Sequence, residues 1–109
     1  MQEPLQVTFR AIEKTPALQE LIEERAAHLE KVDNNLIRCS VVVDEPHKHE
    51  TQGSGYRVCV EAVVPPNHTL VGREHSSHGS IQDTLPRIIR NAFEAVERQL
   101  KEMREAQRE

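Results

Sequence analysis

Apolar and polar side chains alternate along the stretch Tyr56-Arg57-Val58-Cys59-Val60-Glu61-Ala62-Val63-Val64. In an extended strand, successive side chains point to opposite faces of the sheet. One face then receives only apolar side chains, those of Val58, Val60, Ala62 and Val64. The opposite face receives Arg57, Cys59 and Glu61. The alternation predicts a half-buried strand over residues 56–64, which ends at a turn over residues 65–67.

Three further strands are predicted around this one. Residues 5–10 alternate in the same way, with Leu5, Val7 and Phe9 as the apolar set. Residues 36–44 also alternate, and their apolar face consists of Ile37, Cys39, Val41 and Val43. A polar loop is expected over residues 45–55. A short fourth strand is expected over residues 68–74, followed by a loop rich in Ser, His and Gly over residues 75–82.

The first of two amphipathic helices is predicted from about residue 16 to about residue 31. Thr15 can cap the free backbone amides at its start, and Pro16 suits the first helical position. Its apolar stripe consists of Leu18, Leu21, Ile22, Leu29 and Val32. Its opposite side is acidic and carries Glu20, Glu23, Glu24 and Glu30.

The second helix is predicted to begin near Asp83 and Thr84, either of which can cap it, and to run to about residue 106. Pro86 is expected in its first turn, where proline is tolerated. Its apolar stripe consists of Leu85, Ile88, Ile89, Ala92, Phe93, Val96, Leu100 and Met103. This stripe should cover an apolar surface elsewhere in the chain.

The predicted order of elements is β-α-β-β-β-α, within a single domain over residues 1–109. Four alternating strands supply one apolar sheet face, and both helices need such a surface to cover their stripes. We therefore predict an α+β fold, a two-layer sandwich with two helices on one face of a four-stranded mixed sheet. The first strand–helix–strand unit should be a right-handed crossover with parallel strands. The other sheet face is left to solvent or to a partner.

Charge and composition limit the classes of function. The chain has a formal net charge of −4, which argues against strong nonspecific binding to nucleic acid, because phosphate contacts need an excess of Lys and Arg. One basic face could still bind RNA. The start lacks a secretory signal pattern, no apolar run approaches a membrane-spanning length, and only two cysteines occur. We therefore expect a cytoplasmic protein with no membrane partner.

The outer face of the last helix is the first candidate for RNA contact. Basic residues recur there at helical spacing, namely Arg87, Arg90, Arg98, Lys101 and Arg108. Glu94 and Glu105 lie among them. The functional interpretation is a stripe that contacts phosphates. The alternative is a solvated face with ion pairs between successive turns, such as Glu94–Arg98 and Glu97–Lys101.

The open sheet face is the second candidate. Strand parity assigns to it four arginines and two carboxylates, which are Arg10, Arg38, Arg57, Arg73, Asp44 and Glu61. Four arginines on a flat face could hold a nucleic-acid backbone, because the guanidinium group forks onto phosphate oxygens. The alternative is cross-strand ion pairing on a solvated face.

Histidine and cysteine positions suggest two further hypotheses. His47, His49, His75 and His78 have spacings that resemble those of metal ligands, which would suit a metal-responsive protein; the alternative is solvated loop histidines. Strand parity places Cys39 and Cys59 on opposite faces, so a disulfide between them is not expected. Cys39 should then be a core residue, and Cys59 a free and partly exposed thiol.

No motif in the sequence indicates catalysis. It contains no Gly-rich phosphate loop, no His-Glu-x-x-His motif and no nucleophile motif. The many carboxylates are predicted on helix surfaces, where nothing would raise their pKa by removing them from water. We expect that the protein is not an enzyme and has no cofactor, no bound metal and no small-molecule substrate.

Segments over nearly the whole chain are similar to one known family. The first helix contains Thr15-Pro16-Ala17-Leu18, Ile22-Glu23-Glu24-Arg25 and Leu29-Glu30-Lys31, and the second strand contains Ser40-Val41-Val42-Val43. The loop Glu45-Pro46-His47-Lys48-His49 and the final helix Ile89-Arg90-Asn91-Ala92-Phe93-Glu94-Ala95-Val96-Glu97-Arg98-Gln99-Leu100 fit one branch of it. In these segments the chain resembles the family of ribosome hibernation-promoting factors and ribosome-associated inhibitor A, also called sigma-54 modulation proteins, in its short form.

This resemblance implies a dsRBD-like fold and a ribosome-associated binding protein. Such a protein occupies the small ribosomal subunit and its RNA, and it inhibits translation in stress or stationary phase. The resemblance implies no catalysis. The expected RNA-binding residues are Arg87, Arg90, Arg98 and Lys101 on the last helix, with Arg38 and Arg57 on the open sheet face. The alternative is a protein–protein interaction domain of the same fold that does not bind ribosomes.

Overall fold

The structure is a computed structural model that describes residues 1–45, 55–76 and 81–107. Its elements follow in the predicted order and are β1 (Gln6–Arg10), α1 (Pro16–Val32), β2 (Arg38–Asp44), β3 (Tyr56–Val64), β4 (His68–Ser76) and α2 (Ile81–Gln107). The predicted α+β class is confirmed. Neither of the helices in the described part of the chain is long and apolar enough to cross a membrane.

The four strands form one mixed sheet in the order β1-β2-β3-β4. β1 and β2 run parallel, as predicted, with Val7 opposite Val41 and Phe9 opposite Val43. β3 pairs antiparallel with both β2 and β4. Because directly paired residues point to the same side of a sheet, this register divides the sheet into an apolar inner face and a polar open face.

The core lies between the inner sheet face and the two helices. The buried side chains of β2 and β3 include Cys39, Val41, Val43, Val58, Val60, Ala62 and Val64. Those of α1 are Leu18, Ile22, Ala26 and Leu29. Those of α2 include Leu85, Ile88, Ile89, Ala92, Phe93, Val96 and Leu100. Both predicted apolar stripes are confirmed, although Leu21, Val32 and Met103 at their margins are only half-buried.

The ends of α1 follow from local chemistry. The side-chain oxygen of Thr15 accepts a hydrogen bond from the backbone N–H of Leu18 at 3.2 Å, and Pro16 is the first helical residue. This is the predicted cap, and it satisfies a backbone donor that the helix itself leaves free. At the other end, the backbone N–H of Asp33 donates to the carbonyl of Leu29 at 3.1 Å and closes the last turn.

Gly72 allows α2 to lie close to β4. Its backbone is buried on the inner face, opposite Val60 of β3. A Cβ atom placed on Gly72 would lie 2.1 Å from the carbonyl oxygen of Ala92 and 3.1 Å from a methyl group of Val96. The helix backbone therefore occupies the space that any other side chain at this position would need.

Three predicted boundaries are wrong by two residues or more. β2 begins at Arg38 rather than at residue 36. β4 continues to Ser76 rather than ending at residue 74, because its antiparallel pairing with β3 continues, with His75 opposite Arg57. α2 begins at Ile81, so Asp83 lies in its first turn rather than at its cap, and Pro86 lies inside the helix. The extensions of β4 and α2 could not be predicted because residues 73–80 contain no apolar side chain. A strand or helix is recognised in a sequence by the spacing of its apolar residues.

Candidate nucleic-acid interface

The basic residues of α2 form one exposed stripe. Arg87, Arg90, Arg98 and Lys101 are all exposed, and their spacing puts them on one side of the helix. From Arg87 to Lys101 the helix rises about 21 Å, at 1.5 Å per residue. Three exposed carboxylates, Asp83, Glu94 and Glu105, share this side, so four cations face three anions. Arg108, the fifth predicted member, lies outside the described residues.

Within the described part of the chain, none of these four basic side chains forms an ion pair. The Glu97–Lys101 pair, which the alternative interpretation predicted, does not form because Glu97 is buried and pairs with Arg25 of α1. There Nη2 of Arg25 donates to Oε1 of Glu97 at 2.8 Å, and Nε2 of His28 lies 3.7 Å from Oε2. The charge on Lys101 is therefore not neutralised by its helix neighbour.

A second pair of residues that sequence reasoning missed joins the far ends of the helices. Nε of Arg104 donates to Oδ2 of Asp33 at 2.5 Å, and Asp33 is almost fully buried. Oδ1 of Asp33 also accepts from the backbone N–H of Asn35 at 2.8 Å. The turn composition of residues 33–35 predicted that α1 ends there. Nothing in the local sequence could show that its carboxylate meets a guanidinium 71 residues away.

The outer side of α1 has the opposite charge to that of α2. Glu20, Glu23 and Glu24 are exposed there, as the helical pattern predicts. Because Arg25 is engaged with Glu97 at the helix–helix contact, it does not neutralise this side. The helical layer therefore presents an acidic strip on α1 and a strip with a small excess of positive charge on α2. A polyanion would be repelled by the first strip and attracted by the cations of the second.

The open sheet face contains the four arginines that strand parity assigned to it, and all four are exposed. Nη2 of Arg57 donates to Oδ2 of Asp44 at 2.9 Å, which is the expected cross-strand pairing. Nη1 of Arg38 lies 3.5 Å from Oε2 of Glu3. Among the described residues, Arg10 and Arg73 form no ion pair. Ion pairing and free positive charge thus both occur on this face.

Comparison with known proteins identifies the family. Residues 5–108 match the family described as sigma 54 modulation protein / S30EA ribosomal protein. The chain belongs to this family. Among curated proteins, no sequence is significantly similar to it.

Two solved structures share the fold of this S30EA family member. One is a ribosomal subunit interface protein from Coxiella burnetii, with a TM-score of 0.70 and 16% identity, covering 92% of this chain and 96% of that one. The other is the N-terminal domain of Protein Y from Thermus thermophilus, with a TM-score of 0.69 and 20% identity, covering 90% and 94%. The S30EA family is ribosome-associated and is not known as an enzyme family.

The two cysteines of this S30EA family member are free and lie on opposite sheet faces, as predicted. Cys39 is opposite Ala62 on the inner face, and Cys59 is opposite Val42 on the open face. Burial, and secondarily the negative charge of Glu30, raises the pKa of the Cys39 thiol to about 12. Burial, and secondarily Glu45, raises the pKa of Tyr56 as well. Both shifts disfavour ionisation, so neither group is activated as a nucleophile near neutral pH.

The metal hypothesis for this S30EA family member rested on four histidines. His75 is exposed on β4. His47, His49 and His78 lie outside the described residues. In residues 1–45, 55–76 and 81–107, no three His, Cys, Asp or Glu side chains are grouped as a metal site would require. His75 alone is not a site.

Proposed function

We propose that this protein binds the small ribosomal subunit through its RNA and inhibits translation in resting or stressed cells. Membership of the ribosome-associated S30EA family supports the choice of partner. The observation that carries the proposal is the stripe of four exposed basic side chains on α2, which form no ion pairs within the described residues. Unpaired Arg and Lys can release the counterions of RNA phosphates, which supplies affinity without base recognition.

The stripe on α2 is the proposed primary contact. Its four members extend over about 21 Å, enough to meet several phosphates of a folded RNA. On the sheet, Arg38 and Arg57 are already paired with carboxylates, so each would have to exchange an internal partner for a phosphate. They form the proposed secondary contact, because Arg57 would leave the mostly buried carboxylate of Asp44 without its partner.

The acidic side of α1 restricts how the protein can sit on RNA. Glu20, Glu23 and Glu24 would be repelled by phosphates, so α1 should face away from the RNA while α2 faces it. This asymmetry allows a chain with a net charge of −4 to bind RNA in one orientation. Because ribosomes are the partner, the proposal includes a cytoplasmic location.

Cosedimentation with purified ribosomal subunits tests the proposal. The wild-type protein should sediment with small subunits at low salt and less at high salt. A triple variant with Arg90→Glu, Arg98→Glu and Lys101→Glu should stay in the supernatant while keeping its melting temperature. The matched variant Arg38→Glu with Arg57→Glu should keep most of its binding. Loss of binding only in the sheet variant would move the interface to the other face of the molecule.

The acidic side of α1 favours a second candidate, a protein–protein interaction domain that does not bind ribosomes. An acidic strip can dock a basic partner protein by charge complementarity. The same cosedimentation experiment separates the two functions. A wild-type protein that fails to sediment with either subunit, even at low salt, would replace the ribosome proposal with this one.

A further inference from the structure

A small recess opens on the sheet face that points away from the helices. The pairing register places Arg10, Asp44 and Arg57 side by side on β1, β2 and β3. Val42, Cys59 and Arg73 form the next row, on β2, β3 and β4. These six side chains line a cavity of about 310 Å³. Neighbouring strands are about 4.8 Å apart, so the three guanidinium groups can converge on one small ligand.

The charges of the recess do not cancel. Asp44 is mostly buried, and its Oδ2 accepts a hydrogen bond from Nη2 of Arg57 at 2.9 Å. Arg10 and Arg73 are exposed and form no ion pair within the described part of the chain. Three guanidinium groups therefore meet one carboxylate, and two positive charges stay uncompensated. This excess of two positive charges would balance the negative charge of a terminal phosphate group at neutral pH, which is about −2.

We propose that this recess is a binding site for a nucleotide, held by its phosphate groups. Arginine presents a planar fork of N–H donors that fits phosphate oxygens, and Asp44 would fix the fork of Arg57 while Arg10 and Arg73 close on the ligand. Val42 and Cys59 provide a less polar floor for the attached sugar or base. The nucleotide is a ligand rather than a substrate.

The size of the recess and its distance from the other arginine of this sheet face favour a nucleotide over an RNA strand. Its volume of about 310 Å³ is at the lower end of small-molecule pockets, which span roughly 300–1,000 Å³. An RNA strand would need further cations along a track. The remaining arginine of this face, Arg38, lies about 13 Å from Val42 along β2, at 3.3 Å per residue, and is paired with Glu3. This proposal does not depend on ribosome binding.

Cys59 lines the recess and provides a native reporter of occupancy. The rate at which the neutral reagent iodoacetamide modifies Cys59 is measured by mass spectrometry, with buried Cys39 as an internal control for unfolding. The probes are a nucleoside triphosphate, the corresponding nucleoside and a short single-stranded RNA without terminal phosphates. The triphosphate should slow modification of Cys59 in a saturable way at constant ionic strength, and the nucleoside should not.

Two variants and a control test the assignment of the residues. Arg10→Ala and Arg73→Ala should each weaken the protection by the triphosphate by roughly tenfold or more, the usual effect of losing a charge-assisted hydrogen bond. Both side chains are exposed and form no ion pair with another described residue, so the fold should survive. Arg90→Ala on α2 should leave the protection unchanged. Absence of protection by the triphosphate, protection by the RNA alone, or full protection in both recess variants would each overturn the proposal.

Discussion

Single residues set the separation of the two layers, and Gly72 does so most directly. A Cβ at this position would collide with backbone rather than with a side chain that could turn aside. We predict that Gly72→Ala lowers the free energy of unfolding by about 1–3 kcal/mol, the usual cost of overpacking a core. Urea denaturation measures this. Val71→Ile adds one carbon on the open face of the same strand, and it should change stability far less.

Phe93 is the largest of the fully buried side chains and belongs to the stripe of α2. Phe93→Ala should lower the free energy of unfolding by about 3–5 kcal/mol, because it removes apolar contacts and leaves a cavity. Thermal denaturation provides the measurement, with Glu94→Ala on the exposed side of the same turn as the control. Equal melting temperatures for the two variants would contradict the docking of α2 through this face.

The two thiols should differ in reactivity in the native protein. Cys59 should react readily with a thiol reagent, whereas Cys39 should react only when the protein unfolds, because it is buried and its pKa is about 12.

The raised pKa of Cys39 also affects the stability of the protein. Above the ordinary thiol pKa of 9.0 the unfolded chain loses this proton and the folded protein keeps it, so stability should fall as the pH rises from 9.0 toward 12.

Peptide mapping after brief labelling at neutral pH distinguishes the two thiols. Rapid modification of Cys39 would mean that the strand register is wrong. Cys39→Ala provides the control for the pH effect, since this variant should lose less stability between neutral and alkaline pH than the wild-type protein.

Among the elements, α2 is tied to α1 by the ion pair Arg25–Glu97 and to the residue after α1 by Arg104–Asp33. The Asp33 carboxylate is 5% exposed, so removing its partner leaves a charge with little water around it. A double-mutant cycle of Arg104→Ala with Asp33→Ala should give a coupling energy of about 1–3 kcal/mol in urea denaturation. The exposed pair Arg38–Glu3 is the control and should give a coupling energy near zero.

The elements themselves could be predicted from the sequence where one face of each is apolar. The alternation in β3 and the stripes of α1 and α2 follow from burial on one side, which leaves a period in the sequence. The start of α2 and the end of β4 could not be predicted, because the polar residues 73–80 leave no such period. Glu97 resembled a surface residue of α2, and only the packing of α1 against it shows that it is buried.

The candidate interface could likewise be predicted from the sequence only in part. Strand parity placed Arg10, Arg38, Arg57 and Arg73 on one face, because parity depends only on counting along each strand. Which of these arginines have a carboxylate partner could not be predicted, since pairing depends on the register between strands and on the segment around Glu3. Helical spacing likewise predicted the stripe on α2, but not that Glu97 turns away from it.

At the scale of the whole molecule, charge is distributed unequally over the surface. The protein has a net charge of −4, but its exposed cations are concentrated on one side of α2, where Arg87, Arg90, Arg98 and Lys101 lie among carboxylates, whereas the outer side of α1 is acidic. A partner that carries negative charge is therefore expected at α2. In the proposed function this stripe contacts phosphates of ribosomal RNA, and a phosphate contact is measurable because it makes affinity depend on salt.

The most direct test is the salt dependence of binding to small ribosomal subunits. The logarithm of the affinity is measured against the logarithm of the salt concentration for the wild-type protein and for a variant with Arg90→Gln, Arg98→Gln and Lys101→Gln. Each lost phosphate contact should reduce the steepness of this dependence by roughly 0.7–0.9, so the variant should bind more weakly and with a slope shallower by about 2–3. Equal slopes for the two proteins would contradict the claim that α2 contacts RNA phosphates.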